Sequence, residues 1–392
     1  MHRFATPALI LALALSPAFA APFTPAGDAE VVERLPATTN DPSVRRVESL
    51  RKQLAARPFD VDLRLEVARR YFDLAMAQGD PRYVGYASAA IAPLEKAAPD
   101  NAAYWLVRGV LQQYSHDFNG ALASLKRAGE LDPQSPEPPA WRAAIDMVQA
   151  KYADALAECA KLAAVAHPLH AQGCTAYAQA NTGQLRPAYD ALTKALAESR
   201  DAPAGLKLWV RTRLAEMAIR LQRTDEAERH FKEALALGIT DQFLLGAYAD
   251  FLLARKRPQE AIALLKDWER SDILLLRLAL AGKAADDARA KGWASQLRER
   301  FDDAAKRGDT LHEQEAARFE LDVQGNAARA LEFAVRNYAT QKEARDAEML
   351  MRAALAANQP KAADPALAWL QSNGYEDPAL VALAAQLAGA KK

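Results

Sequence analysis

The sequence carries no excess of charge of either sign. Lys plus Arg and Asp plus Glu each number 50 in 392 residues, which excludes the broad basic field that nucleic acid or an anionic membrane surface calls for. β-Branched runs are scarce while alanine is abundant, which favours helix along nearly the whole chain. There is no Gly-x-Ser-x-Gly elbow, no His-Glu-x-x-His, no phosphate-binding loop and no Gly-x-Gly-x-x-Gly, so the common catalytic and nucleotide-binding signatures are missing. Cysteines number two, and no Cys-x-x-Cys-His for haem attachment occurs. No apolar run reaches the roughly 20 residues of a membrane span. These absences point away from an enzyme, a bound cofactor, a nucleic-acid partner and an integral membrane span.

What is present begins with an export signature. In "MHRFATPALILALALSPAFA", His2 and Arg3 form a short positive start, Ala8 to Leu15 an apolar run, and Ala18-Phe19-Ala20 a small-x-small cleavage site. Residues 1–20 are therefore expected to be a signal peptide removed after Ala20. With no Cys beside it, the site does not fit lipid anchoring. The mature protein is expected to cross the inner membrane, and to be periplasmic if the source is Gram-negative. Residues 21–41, with Pro22, Pro25 and Pro36, read as an extended lead-in. Asp41-Pro42 then resembles an N-cap followed by a first-turn proline.

From residue 42 the chain is a string of short amphipathic helices, and two residue types repeat along it at one period. Pro99, Pro133, Pro168 and Pro203 are separated by 34, 35 and 35 residues. Ala90, Ala121, Ala155, Ala188, Ala227 and Ala261 follow at intervals of 31, 34, 33, 39 and 34. A period near 34 with two helices per unit is the mark of a solenoid. The clearest copy, "WLVRGVLQQYSHDFNGALASLKRAGELDP", has Trp105 and Gly109 in its first helix and Ala121, Leu125 and Ala128 in its second, and closes on Pro133. Further copies carry Ala176, Gly183, Ala188, Leu192 and Ala195; Ala215, Ala227, Phe231 and Ala234; and Ala68, Tyr71, Ala90, Leu94, Ala97 and Pro99. Ala143, Ala155 and Cys159 mark another, as do Ala249, Ala261, Leu265 and Trp268.

On these residues the chain resembles the tetratricopeptide-repeat family. Arg108 and Gln112 depart from that family's usual leucine and tyrosine. The resemblance implies an all-α, right-handed α-solenoid of antiparallel helix pairs. Residues 42–270 are expected to hold an N-terminal helix and about six repeats, and residues 271–392 degenerate pairs and a C-terminal helix. The small residues are expected where helices must approach closely. The resemblance also implies a concave face lined by the first helix of each pair. In register with Gly109, that face would present Gln113, Met147, Tyr177, Glu216 and Asp250, with His170 and Trp209 near the helix starts. The repeated Lys and Asn of members that clamp a peptide's terminal carboxylate are missing.

Cys159 and Cys174 flank the turn "AHPLH" at similar distances. In an exported protein they fit a disulfide. Two buried thiols, or a metal site with His167 and His170, are the alternatives, although Cys-x7-His-x2-His-x3-Cys matches no usual zinc spacing. His116, His230 and His312 read as surface or packing residues. The pairs Asp286-Asp287 and Asp302-Asp303 read as solvated faces of charged helices. The functional expectation is an exported scaffold that binds a protein or peptide partner in its groove, within a cell-envelope complex. The alternative is a repeat scaffold with a redox or metal-handling role through Cys159, His167, His170 and Cys174.

Overall fold

The computed structural model describes residues 25–27, 29, 42–80 and 82–390. The expected signal peptide, nearly all of the lead-in and Asp41 lie outside them. The described chain contains helices and no strand. After α1 (Pro42–Ala56) the helices come in pairs: α2 (Val61–Gln78) with α3 (Arg82–Ile91), which continues into the single turn α4 (Leu94–Ala97); α5 (Ala102–Tyr114) with α6 (Phe118–Leu131); α7 (Glu137–Val148) with α8 (Tyr152–Val165); and α9 (Pro168–Ala180) with α10 (Leu185–Glu198). Then come α11 (Ala204–Arg220) with α12 (Thr224–Leu235), α13 (Gln242–Ala254) with α14 (Pro258–Leu264), and α15 (Asp272–Ala285) with α16 (Ala290–Lys306). The last two pairs are α17 (Glu313–Arg318), running on as a π-helical segment Phe319–Gln324, with α18 (Ala327–Thr340), and α19 (Ala344–Ala356) with α20 (Asp364–Ser372). α21 (Pro378–Ala390) packs on α19 and ends the array. The first helices of successive pairs also touch one another, which makes a solenoid.

One backbone feature recurs in every pair. The turn between its two helices holds a residue in the left-handed region: Gly79, His116, Ala150, Gly183, Gln222, Lys256, Asp286, Gly325 and Asn358, with φ from 54° to 75°. Five residues after seven of these stands an alanine at the start of the second helix: Ala121, Ala155, Ala188, Ala227, Ala261, Ala330 and Ala363, each with 1% or less of its surface exposed. The two recurrences are one constraint, since the left-handed residue reverses the chain and the second helix then meets the first where a larger side chain has no room. Side-chain caps start several first helices: Asp60, Asn101 and Asp241 accept hydrogen bonds from the N–H groups of Leu63, Tyr104 and Leu244 at 2.8–3.0 Å.

The motif positions take the places their sizes suit. Ala121, Leu125, Ala128, Ala188, Ala227, Phe231 and Ala234 are buried, Ala195 is half-buried, and Pro133 lies in the connection between α6 and α7. A methyl group added to Gly109 would stand 2.7 Å from Leu125 Cγ. Two sequence readings are corrected. In the first pair the fully buried alanine is Ala87, with Ala90 half-buried and Ala97 exposed, because the longer turn from Gly79 shifts the register. Asp286-Asp287 is in a turn rather than on a helix: Asp286 is the left-handed residue ending α15, and Asp287 accepts from Arg289.

Ion pairs staple neighbouring pairs along the outer side. Arg257, at the start of α14, donates to both oxygens of Glu228 on α12 at 2.8 and 2.9 Å, and Lys232 adds a contact at 2.9 Å. The hydrogen bonds from Arg257, aided by Lys232, hold the Glu228 carboxyl down from 4.5 to about 2.

Two outcomes are expected. Gly109→Ala forces Leu125, which has no exposed surface, to move, and should cost about 1–3 kcal/mol in urea unfolding. Because Glu228 has a lower pKa folded than unfolded, its contribution is present above pH 4.5 and lost as pH falls toward 2. Glu228→Gln should flatten that part of the stability–pH curve, and an unchanged curve would count against the staple.

Candidate functional site

The array winds back on itself, which brings first-helix residues of early and late pairs to face one another, and the inward-facing region between them is termed the lumen. Gln242 Nε2 at the start of α13 donates to the Met76 carbonyl near the end of α2, and Ser271 Oγ donates to Gln242 Oε1 at 2.5 Å. Further along, Lys342 N donates to the Val148 carbonyl at 2.7 Å and Trp369 Nε1 donates to the Tyr152 hydroxyl at 3.0 Å. The later pairs thus stack edge to edge on the earlier ones, joining residues as much as 217 positions apart.

α11 supplies the central stripe of the lumen. Trp209, Arg213, Glu216 and Arg220 lie at i, i+4, i+7 and i+11, on one face of the helix. Arg213 Nη1 donates to Glu216 at 2.8 Å and to the Tyr177 hydroxyl of α9 at 3.1 Å, and its guanidinium lies 4.8 Å from the Tyr177 ring centroid. Opposite stand Glu343 and Arg345 at the start of α19, paired at 2.8 Å. Burial pushes the Glu216 carboxyl up, against the pull of Arg213. Asp250 of α13 sits between Arg277 of α15, at 2.7 and 3.0 Å, and Arg318 of α17, at 2.8 Å. Burial would raise its pKa, but the two guanidiniums outweigh that and hold it down. Asp322, Arg352 and Glu348 continue the ladder.

These charges are walled by protein yet reachable by water. Side-chain exposure is 36% for Glu216, 32% for Asp250, 47% for Arg345 and 51% for Glu348. An arrangement of alternating guanidiniums and carboxylates suits directional ion pairing with polar groups that enter the lumen.

The structure brings Tyr177 and Glu216 together through Arg213, with Asp250 in the second charge group. Met147 is buried with Tyr152, Ala155 and Ala178. Trp209 stands over Gly173, where an added methyl would meet its ring at 2.5 Å, and His170 meets it edge-on at 5.9 Å. Gln113 is half-buried near the end of α5. The arginines Arg213, Arg318, Arg345 and Arg352 were not legible as site residues. Arg213 stands four residues after Trp209, Arg318 four before Asp322 and Arg352 four after Glu348, while Arg345 leaves no such local trace.

Cys159 of α8 and Cys174 of α9 form a disulfide with Cα atoms 5.5 Å apart, which joins adjacent pairs across the turn. Both sulfurs are used in the bridge. His167 Nδ1 accepts from Leu169 N at 3.1 Å as the cap of α9, while His170 faces Trp209. The four residues of the redox or metal reading therefore do not converge on one point, and no group of three or more His, Cys, Asp or Glu among the described residues is placed to hold a metal. His230 is buried, with Nε2 3.1 Å from the Tyr189 hydroxyl, and burial pushes its pKa down to about 4.

The paired helices, their small contact residues and their stacking define the class: the fold is a tetratricopeptide-type α-solenoid. No family model matches the chain, and no curated protein matches it. Solved structures with similar folds include PilW, described as a widely conserved type IV pilus biogenesis factor (20% identity, 60% of this chain and 94% of that one, TM-score 0.34). A tetratricopeptide repeat protein from Parabacteroides merdae shares 14% identity over 75% of this chain and 98% of its own, with a TM-score of 0.36. Yeast Tom70 shares 12% over 89% and 85%, with a TM-score of 0.42.

The bridge closes a loop of 15 residues, for which the chain-entropy model gives about 3 kcal/mol. Cys159→Ser with Cys174→Ser should lower the unfolding free energy by about that amount. Alkylation without reductant should leave the mass of the native protein unchanged, and two added labels would refute the bridge.

Proposed function

We propose that the protein is an exported scaffold that holds a protein or peptide partner in its lumen, as part of a cell-envelope assembly. The observation that carries this reading is the charge ladder around Arg213, Glu216, Asp250 and Arg345, which is enclosed by first helices yet open to solvent. Charges paired only for stability gain little at such exposure, whereas a partner with polar groups of both signs can exchange with them. No reaction step is assigned to the lumen, and the role is one of binding. The residue pattern at 1–20 supports export, and the Cys159–Cys174 bridge supports an oxidising compartment. In a Gram-negative cell that compartment is the periplasm.

A photo-crosslinking residue placed at Gln113, Glu216 or Asp250 should capture one defined partner from the envelope fraction, while the same residue at the exposed Lys126 of α6 should not. Equal capture from both faces, or none from the lumen positions, would overturn the reading. The mature protein should begin at Ala21 by N-terminal sequencing.

A further inference from the structure

The C-terminal part of the array has a hydrophobic core of its own. Ala330, Leu331, Tyr338, Leu350, Trp369 and Leu387 belong to it, while a separate core runs from Leu169 of α9 to Phe319. The chain passes between the two inside one short stretch: Ala317 belongs to the C-terminal core, Phe319 to the other, and Leu321 packs on the C-terminal one again. That stretch is where α17 becomes π-helical. A π-helical turn replaces the regular ladder of hydrogen bonds with a wider one, and such segments are frequent at functional positions.

Away from this crossing, the C-terminal body meets the earlier pairs along a seam where Lys342 and Trp369 bond to Val148 and Tyr152 and Ala150 packs on its core, and, at the far end of that seam, through polar contacts on the α20–α21 loop. Glu376 Oε2 accepts from Leu185 N, at the start of α10, at 2.6 Å. The Glu376 carbonyl accepts from Arg220 Nε at 2.9 Å, and the Arg220 guanidinium stacks 3.8 Å from the Tyr375 ring centroid. Gly183 and Gly374, both left-handed, approach so closely that a methyl on Gly183 would lie 3.3 Å from the Gly374 carbonyl oxygen. Arg220 is the last residue of the lumen stripe on α11, one turn beyond Glu216.

We infer that the α20–α21 loop, through Tyr375 and Glu376, is a clasp that closes the lumen at the Arg220 end, and that the C-terminal body opens by pivoting at the α17–π-helix crossing. The contacts of the loop itself are of the kind that can be exchanged for water. One carboxylate caps a helix, one guanidinium stacks on one ring, and two glycine turns abut, while the Trp369–Tyr152 and Lys342–Val148 hydrogen bonds complete the seam beside them. The body that moves keeps its core intact when they break. The clasp is relevant to a partner because the lumen is the proposed binding surface, but its opening does not depend on any partner and is tested without one.

The native cysteines are bridged, so Glu216→Cys introduces a single thiol inside the lumen. A small maleimide and a polyethylene-glycol-linked maleimide are reacted with it in the full-length oxidised protein. In the intact clasp the bulky reagent should be the slower by a wide margin. Adding Glu376→Ala should raise its rate about tenfold, in the manner of a local opening equilibrium, while the small reagent changes far less. A probe at Lys126→Cys on the outer surface should label alike in both backgrounds. Tyr152→Phe, which removes the hydrogen bond to Trp369 but keeps the ring, serves as a second variant and should move the same rate in the same direction. Bulky-reagent labelling that is already fast with the clasp intact, or unmoved by both variants while circular dichroism shows native helix, would overturn the clasp. Failure to crosslink a partner from the lumen would overturn the proposed function and leave this result standing.

Discussion

The close approach of two helices at a small residue is the constraint on which the structure rests. In seven of the pairs the same local sequence of events occurs: a left-handed residue reverses the chain, and five positions later a fully buried alanine meets the first helix. Gly109 shows how little slack remains, since one methyl group would collide with Leu125. A helical hairpin of this kind buries only part of its apolar surface, so it must stack, and stacking with a constant small rotation makes a superhelix. Ala150, Gln222 and Lys256, whose side chains disfavour positive φ, show that packing can impose the turn geometry against local preference.

A second consequence follows from how far the array winds. Its later pairs reach back to its earlier ones, so the concave face becomes a lumen rather than an open groove. Charged side chains that an open groove would leave dispersed are brought into mutual range there. Asp250 is held between two arginines contributed by the next first helix and by the pair after that. The lumen is therefore built by tertiary winding acting on ordinary helix faces, and its chemistry depends on the number of repeats as much as on any one of them.

This division explains what could be read from the sequence. The period, the small residues and the pairing of Cys159 with Cys174 were legible, because each arises within one pair or between adjacent ones. Ala330 and Ala363 were not recognised as continuing the pattern, since the residues around them depart from the motif although the burial does not. The seventh pair is the clearest break: Asp286 is followed at the same offset by the exposed Lys291, and Trp293 and Leu297 fill the contact instead. Gly282 accommodates that larger ring on the facing helix, where a methyl would lie 2.9 Å from Trp293. Contacts such as Trp369 with Tyr152 left no trace, because residues separated by 217 positions share no periodicity. For the same reason Met147 could be placed on the first-helix face but not recognised as buried there.

The bridge and the clasp act on the same region by opposite means. Cys159–Cys174 fixes α8 to α9 covalently, and α9 and α11 together carry Tyr177, Arg213 and Glu216. That side of the lumen thus carries a covalent link between two adjacent pairs. The facing wall, with Glu343, Arg345 and Glu348 on or beside α19, belongs to the C-terminal core and is held by contacts at Glu376 and Tyr375 and by the hydrogen bonds of Lys342 and Trp369 to Val148 and Tyr152. A lumen with one covalently braced wall and one wall secured by exchangeable bonds can change its width without either wall losing its packing. Its charges meet across the gap only when the second wall is seated, so the electrostatics of the lumen and the position of the C-terminal body form a single equilibrium. Anything that engages Arg345 or Glu216 in place of their present neighbours shifts that equilibrium by the difference in its affinity for the two positions.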